Sequence, residues 1–205
     1  LQGRVACALD GLLALVERID LSFSDGLAKP NPVLLALPNA LLAHFNYLRG
    51  DASQATHYLQ GCMDYIDMGG FLDCIAHAFV TSARLQVQQG HPGRARRTLE
   101  RMSSLAQVRE WPRLQSWALM ERVRSCLQGE RVREAAGCLR ELQQIRAMSL
   151  DDGGVDRWLF ALLAELWLGL NGQPVRAELV TDAQALLTEL RQRQYWLMVA
   201  ELGVA

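Results

Sequence analysis

Residues 88 to 102 read QQGHPGRARRTLERM. Two glycines three apart, a histidine, a proline and four arginines have the makings of a phosphate cradle or a nucleic-acid clamp. The same string also reads as the end of one helix, a turn and the start of the next. Gly90 suits the left-handed backbone that closes a helix. Pro92 falls one residue into the following helix, where its missing N–H costs nothing. Ala95 and Leu99 then lie one turn apart on one face.

The rest of the chain decides between the two readings. The residues Gly3, Gly50, Gly90, Glu130 (just after Gly129) and Gly172 interrupt helical patterning at gaps of 47, 40, 40 and 42 residues. Five residues after the first four come Ala8, Ala55, Ala95 and Ala135, and four residues later Leu12, Leu59, Leu99 and Leu139. Self-similarity at this period marks a helical repeat array. A small residue early in the second helix lets two backbones approach, and the leucine one turn on fills the seam. The GHPG string resembles the GxxG clamp of KH domains, but that clamp is set among strands, and strand signals are nearly absent here. The turn reading wins. It places Arg94, Arg96, Arg97 and Arg101 mostly on an outer face.

The expected fold is therefore all-α: a right-handed superhelix of stacked antiparallel helix pairs, a tetratricopeptide-like α-solenoid with a period of about 40 residues. The whole chain, 1–205, is read as one such domain. Its repeats fall at about 1–19 (partial), 33–68, 71–108, 113–148, 155–192 and 194–205 (partial), with a long loop through SFSDGLAKPNP. The pairs are 33–49 with 52–68, 71–89 with 92–108, 113–128 with 131–148, and 155–171 with 175–192. Asp51 and Ser53 are expected helix caps. Because the sequence opens on LQG and closes on YWLMVAELGVA, it reads as an internal piece of a longer protein.

Composition is that of a globular chain: half the residues are apolar and the formal net charge is −1, which argues against disorder and against an overall polyanion binder. The charge is unevenly spread. Residues 1–83 hold 4 basic and 8 acidic side chains, residues 84–146 hold 13 and 6, and residues 147–205 hold 4 and 8. No stretch has the roughly 20 apolar residues of a membrane span, and VACALDGLLALV carries Asp10. Five cysteines without a CxxC motif suggest buried thiols in a reducing, cytoplasmic setting. Cys74 and His77 lie one turn apart but lack a second ligand pair at suitable spacing. Asp151 and Asp152 before Gly153–Gly154 read as an acidic loop, not a calcium loop, which needs further alternating oxygens. Cys126 and Cys138 flank one turn and are expected to pack across it.

A punctuator followed by alanine at plus five and a large apolar residue at plus nine resembles the tetratricopeptide repeat. The strings ARLQVQQGHPGRARRTLERM and HFNYLRGDASQATHYLQGCM resemble the superhelical region of MalT-type, ATP-dependent transcriptional activators of the LuxR family. The resemblance covers nearly the whole chain. It implies a sensor arm that receives a small-molecule effector or a regulatory protein. It also implies neighbouring NTPase and DNA-binding modules. No GxxxxGK[ST] phosphate loop and no credible C-terminal helix-turn-helix occur in this sequence. ATP is thus implied only for an absent NTPase module. The segment itself is expected to need no cofactor, to contact neither membrane nor nucleic acid, and to carry no catalytic residues, since no hydrolase, zincin or dinucleotide motif occurs.

In such an array the first helix of each pair lines the concave wall. Six residues before the punctuators stand His44, Arg84, Arg124 and Leu166, and seven residues earlier Leu37, His77, Trp117 and Leu159. Tyr47 is one turn from His44. A wall of His44, Tyr47, His77, Arg84, Trp117 and Arg124 combines aromatic faces with forked cationic donors, which suits an anionic or sugar-like ligand or an acidic peptide. Four of these residues also have a plain structural reading: Arg84 and Arg124 as solvated or ion-paired groups, Trp117 as core, His77 as a satisfied interior histidine. Trp111, Trp158, Trp167 and Trp196 read as packing. The stand-alone alternative is a peptide-binding scaffold or adaptor.

Overall fold

Alanine- and leucine-rich runs at helical spacing form helices throughout the computed structural model, which describes residues 2–23, 32–69, 71–148 and 155–193. Among these residues all regular structure is helical: α1 (Gln2–Phe23), α2 (Pro32–Leu48), α3 (Ala52–Cys62), a 3-10 turn (Ile66–Met68), α4 (Leu72–Gln88), α5 (Pro92–Val108), α6 (Pro112–Gln128), α7 (Val132–Met148), α8 (Val155–Leu170) and α9 (Leu179–Gln192). No described helix is long and apolar enough to cross a membrane. The chain divides into two compact units, Leu1–Leu105 and Ala106–Ala205, the division falling within α5.

The turns follow from backbone chemistry local to each. Gly50 (φ +83°), Gly90 (+77°), Glu130 (+57°) and Gly172 (+77°) adopt the left-handed conformation. The next N–H in each case donates back to a helical carbonyl: Asp51 to Asn46 at 2.9 Å, His91 to Gln86 at 2.8 Å, Arg131 to Cys126 at 2.8 Å and Gln173 to Leu168 at 3.0 Å. This is the six-to-one bond of the Schellman motif, which satisfies a carbonyl the helix end would otherwise orphan. A fifth such turn, at Glu110 (φ +54°) with Trp111 donating to Ala106 at 2.9 Å, carries no glycine to announce it. Gly3, by contrast, lies in the first turn of α1.

Gly90 is free of neighbours where a Cβ would sit, so its substitution tests backbone strain alone. Gly90→Ala is expected to cost about 1 kcal/mol, because the left-handed region disfavours a Cβ. Glu130→Gly should change stability in the opposite direction. Chemical denaturation of the two variants checks both signs.

In the first unit α2 packs on α1, α3 and α4. Ala36, Ala40 and Ala43 of α2 and Ala55 of α3 are fully buried, so the backbones can close on one another. Leu59 and Leu99 fill the seams, and Ala95 is likewise fully buried. Asp51 caps α3 by accepting from the Gln54 N–H at 2.9 Å, while Ser53 lies inside that helix. The helix expected over 52–68 stops at Cys62. The chain turns and re-enters as a 3-10 turn, which buries Ile66 completely and brings Asp67 to Arg101.

In the second unit α6, α7 and α8 pack mutually and α9 rests on α8. Their core joins Leu119, Met120, Val123, Leu142, Phe160 and Leu162, with Ala135 in the seam. Leu139 is only half-buried, and Cys138 and Leu142 take the buried places beside it. The helix expected from residue 175 begins instead at Leu179. Residues 173–178 are drawn onto α8: the Arg176 N–H and Nε donate to the Glu165 carboxylate at 3.2 and 2.9 Å, and Arg176 also pairs with Asp182. That tertiary capture outweighs the local preference for starting a helix.

Candidate functional site

The polar set on α2 and α4 arises from two overlapping helical faces. His77, Thr81 and Arg84 recur at i, i+4 and i+7 on α4, hence on one side of it. His44 enters from α2. Its ring stacks on that of His77, with centroids 4.0 Å apart and planes inclined by 29°. His44 Nδ1 and the Thr81 hydroxyl share a hydrogen bond of 3.3 Å across 37 residues of sequence. His44 is 7% exposed and Thr81 fully buried, while His77 and Arg84 are half-buried. The set therefore runs from the helix interface outward.

Burial holds the His44 imidazole well below its ordinary pKa of 6.5, and the fields of His77 and Arg84 lower it further. Charging a buried ring sacrifices its hydration, and positive charge on Arg84 or His77 opposes the same step. His44 is thus neutral at pH 7. At the same end of the helices, Gln88 Nε2 donates to the Tyr47 hydroxyl at 3.3 Å, linking α2 to α4 a second time.

Four of the six expected wall residues, His44, Tyr47, His77 and Arg84, lie on α2 and α4 of the first unit. The other two, Trp117 and Arg124, lie on α6 of the second. Trp117 packs against the core, tilted against Phe160 with ring centroids 4.6 Å apart. The Arg124 guanidinium sits 4.7 Å above the Trp167 ring and 4.0 Å from the buried carboxylate of Glu121. Trp167, expected only to pack, therefore has a second contact. Arginine–aromatic stacking recurs at Arg109 over Trp111, Arg146 over Trp158 and Arg101 over Phe79, and each such contact contributes about 0.5–1 kcal/mol where exposed.

Thr81, Gln88, Glu121 and Trp167 complete these clusters and were not among the expected wall residues. The signal for Thr81 was present, since it lies between His77 and Arg84 on one helical face. Leu37 of the same register instead packs beside Gly69. On α5, Arg94 and Arg97 are exposed and Arg96 pairs with Glu100 at 2.9 Å, as an outer face would have it. Arg101 departs from that pattern: it reaches the Asp67 carboxylate and the Met63 carbonyl.

Among the described residues no group of three or more histidine, cysteine, aspartate or glutamate side chains could hold a metal ion. Cys62, Cys126 and Cys138 are buried, and none of the five cysteines is in a disulfide. Burial, with Cys74 nearby, pushes the Cys62 thiol up to about 12, so it stays protonated at neutral pH. The acidic loop at Asp151–Asp152, Trp196 and the segment 194–205 lie outside the described residues. No family model matches the chain, and neither a curated protein nor a solved structure matches it.

Proposed function

We propose that this chain is the ligand-sensing and protein-interaction segment of a LuxR-type, MalT-like transcriptional activator, built as a tetratricopeptide-like superhelix with a period near 40 residues. In this reading it performs no chemistry. An effector or regulatory protein binds the inner wall, and occupancy shifts the balance between two states of the parent protein. Nucleotide binding and DNA recognition belong to other modules of that parent.

The observation that supports the reading most is the His44–His77–Arg84 set. Packing α2 on α4 requires only apolar side chains, yet this contact holds two stacked imidazoles with a guanidinium beside them. Buried polar groups lower stability unless well satisfied, so their placement favours recognition of an anionic or sugar-like ligand. The spacing of the left-handed turns at Gly50, Gly90, Glu130 and Gly172 supports the repeat. The adaptor alternative draws on Met68 and Phe71, each 65% exposed beside the 3-10 turn, since large exposed apolar side chains favour a protein partner.

Arg84→Ala is expected to fold nearly as the unsubstituted protein does, and Arg124→Ala to fold with some loss of stability, because it faces the buried Glu121 carboxylate and stacks on Trp167. Each should weaken effector binding by about tenfold, the usual worth of a hydrogen bond to a charged group. Calorimetric titration of the parent and both variants with neutral sugars, phosphorylated sugars and acidic peptides tests this. Equal affinities in all three proteins would remove the site. Binding confined to an apolar peptide, abolished by Phe71→Ser, would favour the adaptor.

A further inference from the structure

The contact between α2 and α4 has a property that ligand recognition does not require. Its two imidazoles meet face to face, 4.0 Å apart, where one proton on each would put like charges in contact. The more buried ring, His44, is hydrogen-bonded to a threonine that is itself fully buried. A hydroxyl can donate to a neutral imidazole or accept from a charged one, but it brings no countercharge.

The described groups packed around the pair come from several elements. From α1, Leu9, Leu12 and Val16 pack against Leu42 and Phe45 of α2, with Tyr58 of α3 in the same cluster. The 3-10 turn brings one carboxylate, Asp67, which is ion-paired with Arg101. From α4 come His77, Thr81 and Arg84, with Asp73 one turn before His77 on the same side. The groups whose charge bears on His44 are His77 and Arg84, and both oppose its protonation.

We propose that the stacked His44–His77 pair is a proton-operated joint: with both rings neutral it holds α2 to α4, and acidification releases the two helices locally. The direction follows from linkage. In the released state His44 regains an ordinary value near 6.5 and takes up a proton that the closed state refuses. Closure is therefore complete above pH 6.5 and is lost as the pH falls below it. The ratio of closed to open falls by about tenfold per pH unit in that window for one proton taken up. This device does not depend on the sensor reading, because it needs no effector.

The molecule supplies its own control. All four histidines, His44, His57, His77 and His91, precede residue 106, so the second unit has none. The experiment follows histidine ring resonances and amide hydrogen exchange of the full 205-residue chain between pH 7.5 and 5, corrected for intrinsic exchange chemistry. His44 should titrate below 6.5, and α2 and α4 should lose about tenfold of protection per pH unit while α6 and α8 lose none. In His44→Gln that acid-dependent loss should vanish. If His44→Gln does not fold, His77→Gln serves in its place, since it removes the facing charge and should raise the His44 midpoint towards 6.5. A His44 midpoint at or above 6.5 in the parent protein would overturn the proposal. Acid-induced loss of protection no greater in α2 and α4 than in α6 and α8 would also overturn it.

Discussion

Phe160→Ala is expected to lower the stability of the second unit by about 3–5 kcal/mol, the usual cost of deleting a buried phenylalanine ring. Phe160 is 1% exposed and lies at the meeting of α6, α7 and α8, with Trp117 tilted against it. Neighbouring leucines cannot collapse into the space without leaving their rotamers, so a cavity remains. The five tryptophans all follow residue 106. Tryptophan fluorescence therefore follows this unit, and its urea midpoint should fall by on the order of 2 M at a typical slope for a small domain. A shift below about 0.5 M would mean that this core is loosely packed, contrary to the full burial of Leu119, Leu162 and Leu163 around it.

The second large effect is expected at Arg176. Its side chain is 34% exposed, but the Glu165 carboxylate it holds is only 9% exposed. Removing the guanidinium leaves that carboxylate the backbone N–H of residue 176 but takes away its countercharge, and breaking such a pair costs more than the pair contributes. With a discount for the solvent-screened arginine, Arg176→Ala should lower stability by about 1–3 kcal/mol. Adding Glu165→Gln should restore part of the loss, since a neutral amide is cheaper to bury than an unpaired charge. Urea unfolding of the single and double variants measures the coupling, and strictly additive losses would show the two groups to be independent.

Much of the local architecture was legible in the sequence. Left-handed turns at Gly50, Gly90, Glu130 and Gly172, the Asp51 cap and the start of a helix at Pro92 all stand where the residues place them. Each depends on hydrogen bonds reaching no further than about six residues, so the sequence carries the whole cause. The helix break between residues 108 and 113 was legible, but Glu110 as its left-handed residue was not, because no glycine adjoins it as Gly129 adjoins Glu130. A glycine permits a helix end but does not impose one, and Gly3 stands within the first turn of α1.

The candidate site was legible in part. Helical periodicity placed His77 and Arg84 on one face of one helix. It could not say that His44, 33 residues before His77, would supply the ring that stacks there. Nor could it choose for Trp117 between a binding platform and the side of Phe160.

By itself, then, the amino-acid order determined that the chain is helical, where most helices end, and which residues share a face. Tertiary structure alone decided which faces meet. It stacked His44 on His77, bound Asp67 to Arg101, and held residues 173–178 against α8 so that the last described helix begins at Leu179. Backbone hydrogen bonding acts within a turn or two, whereas the mating of side chains from distant helices depends on how all of them share the available volume.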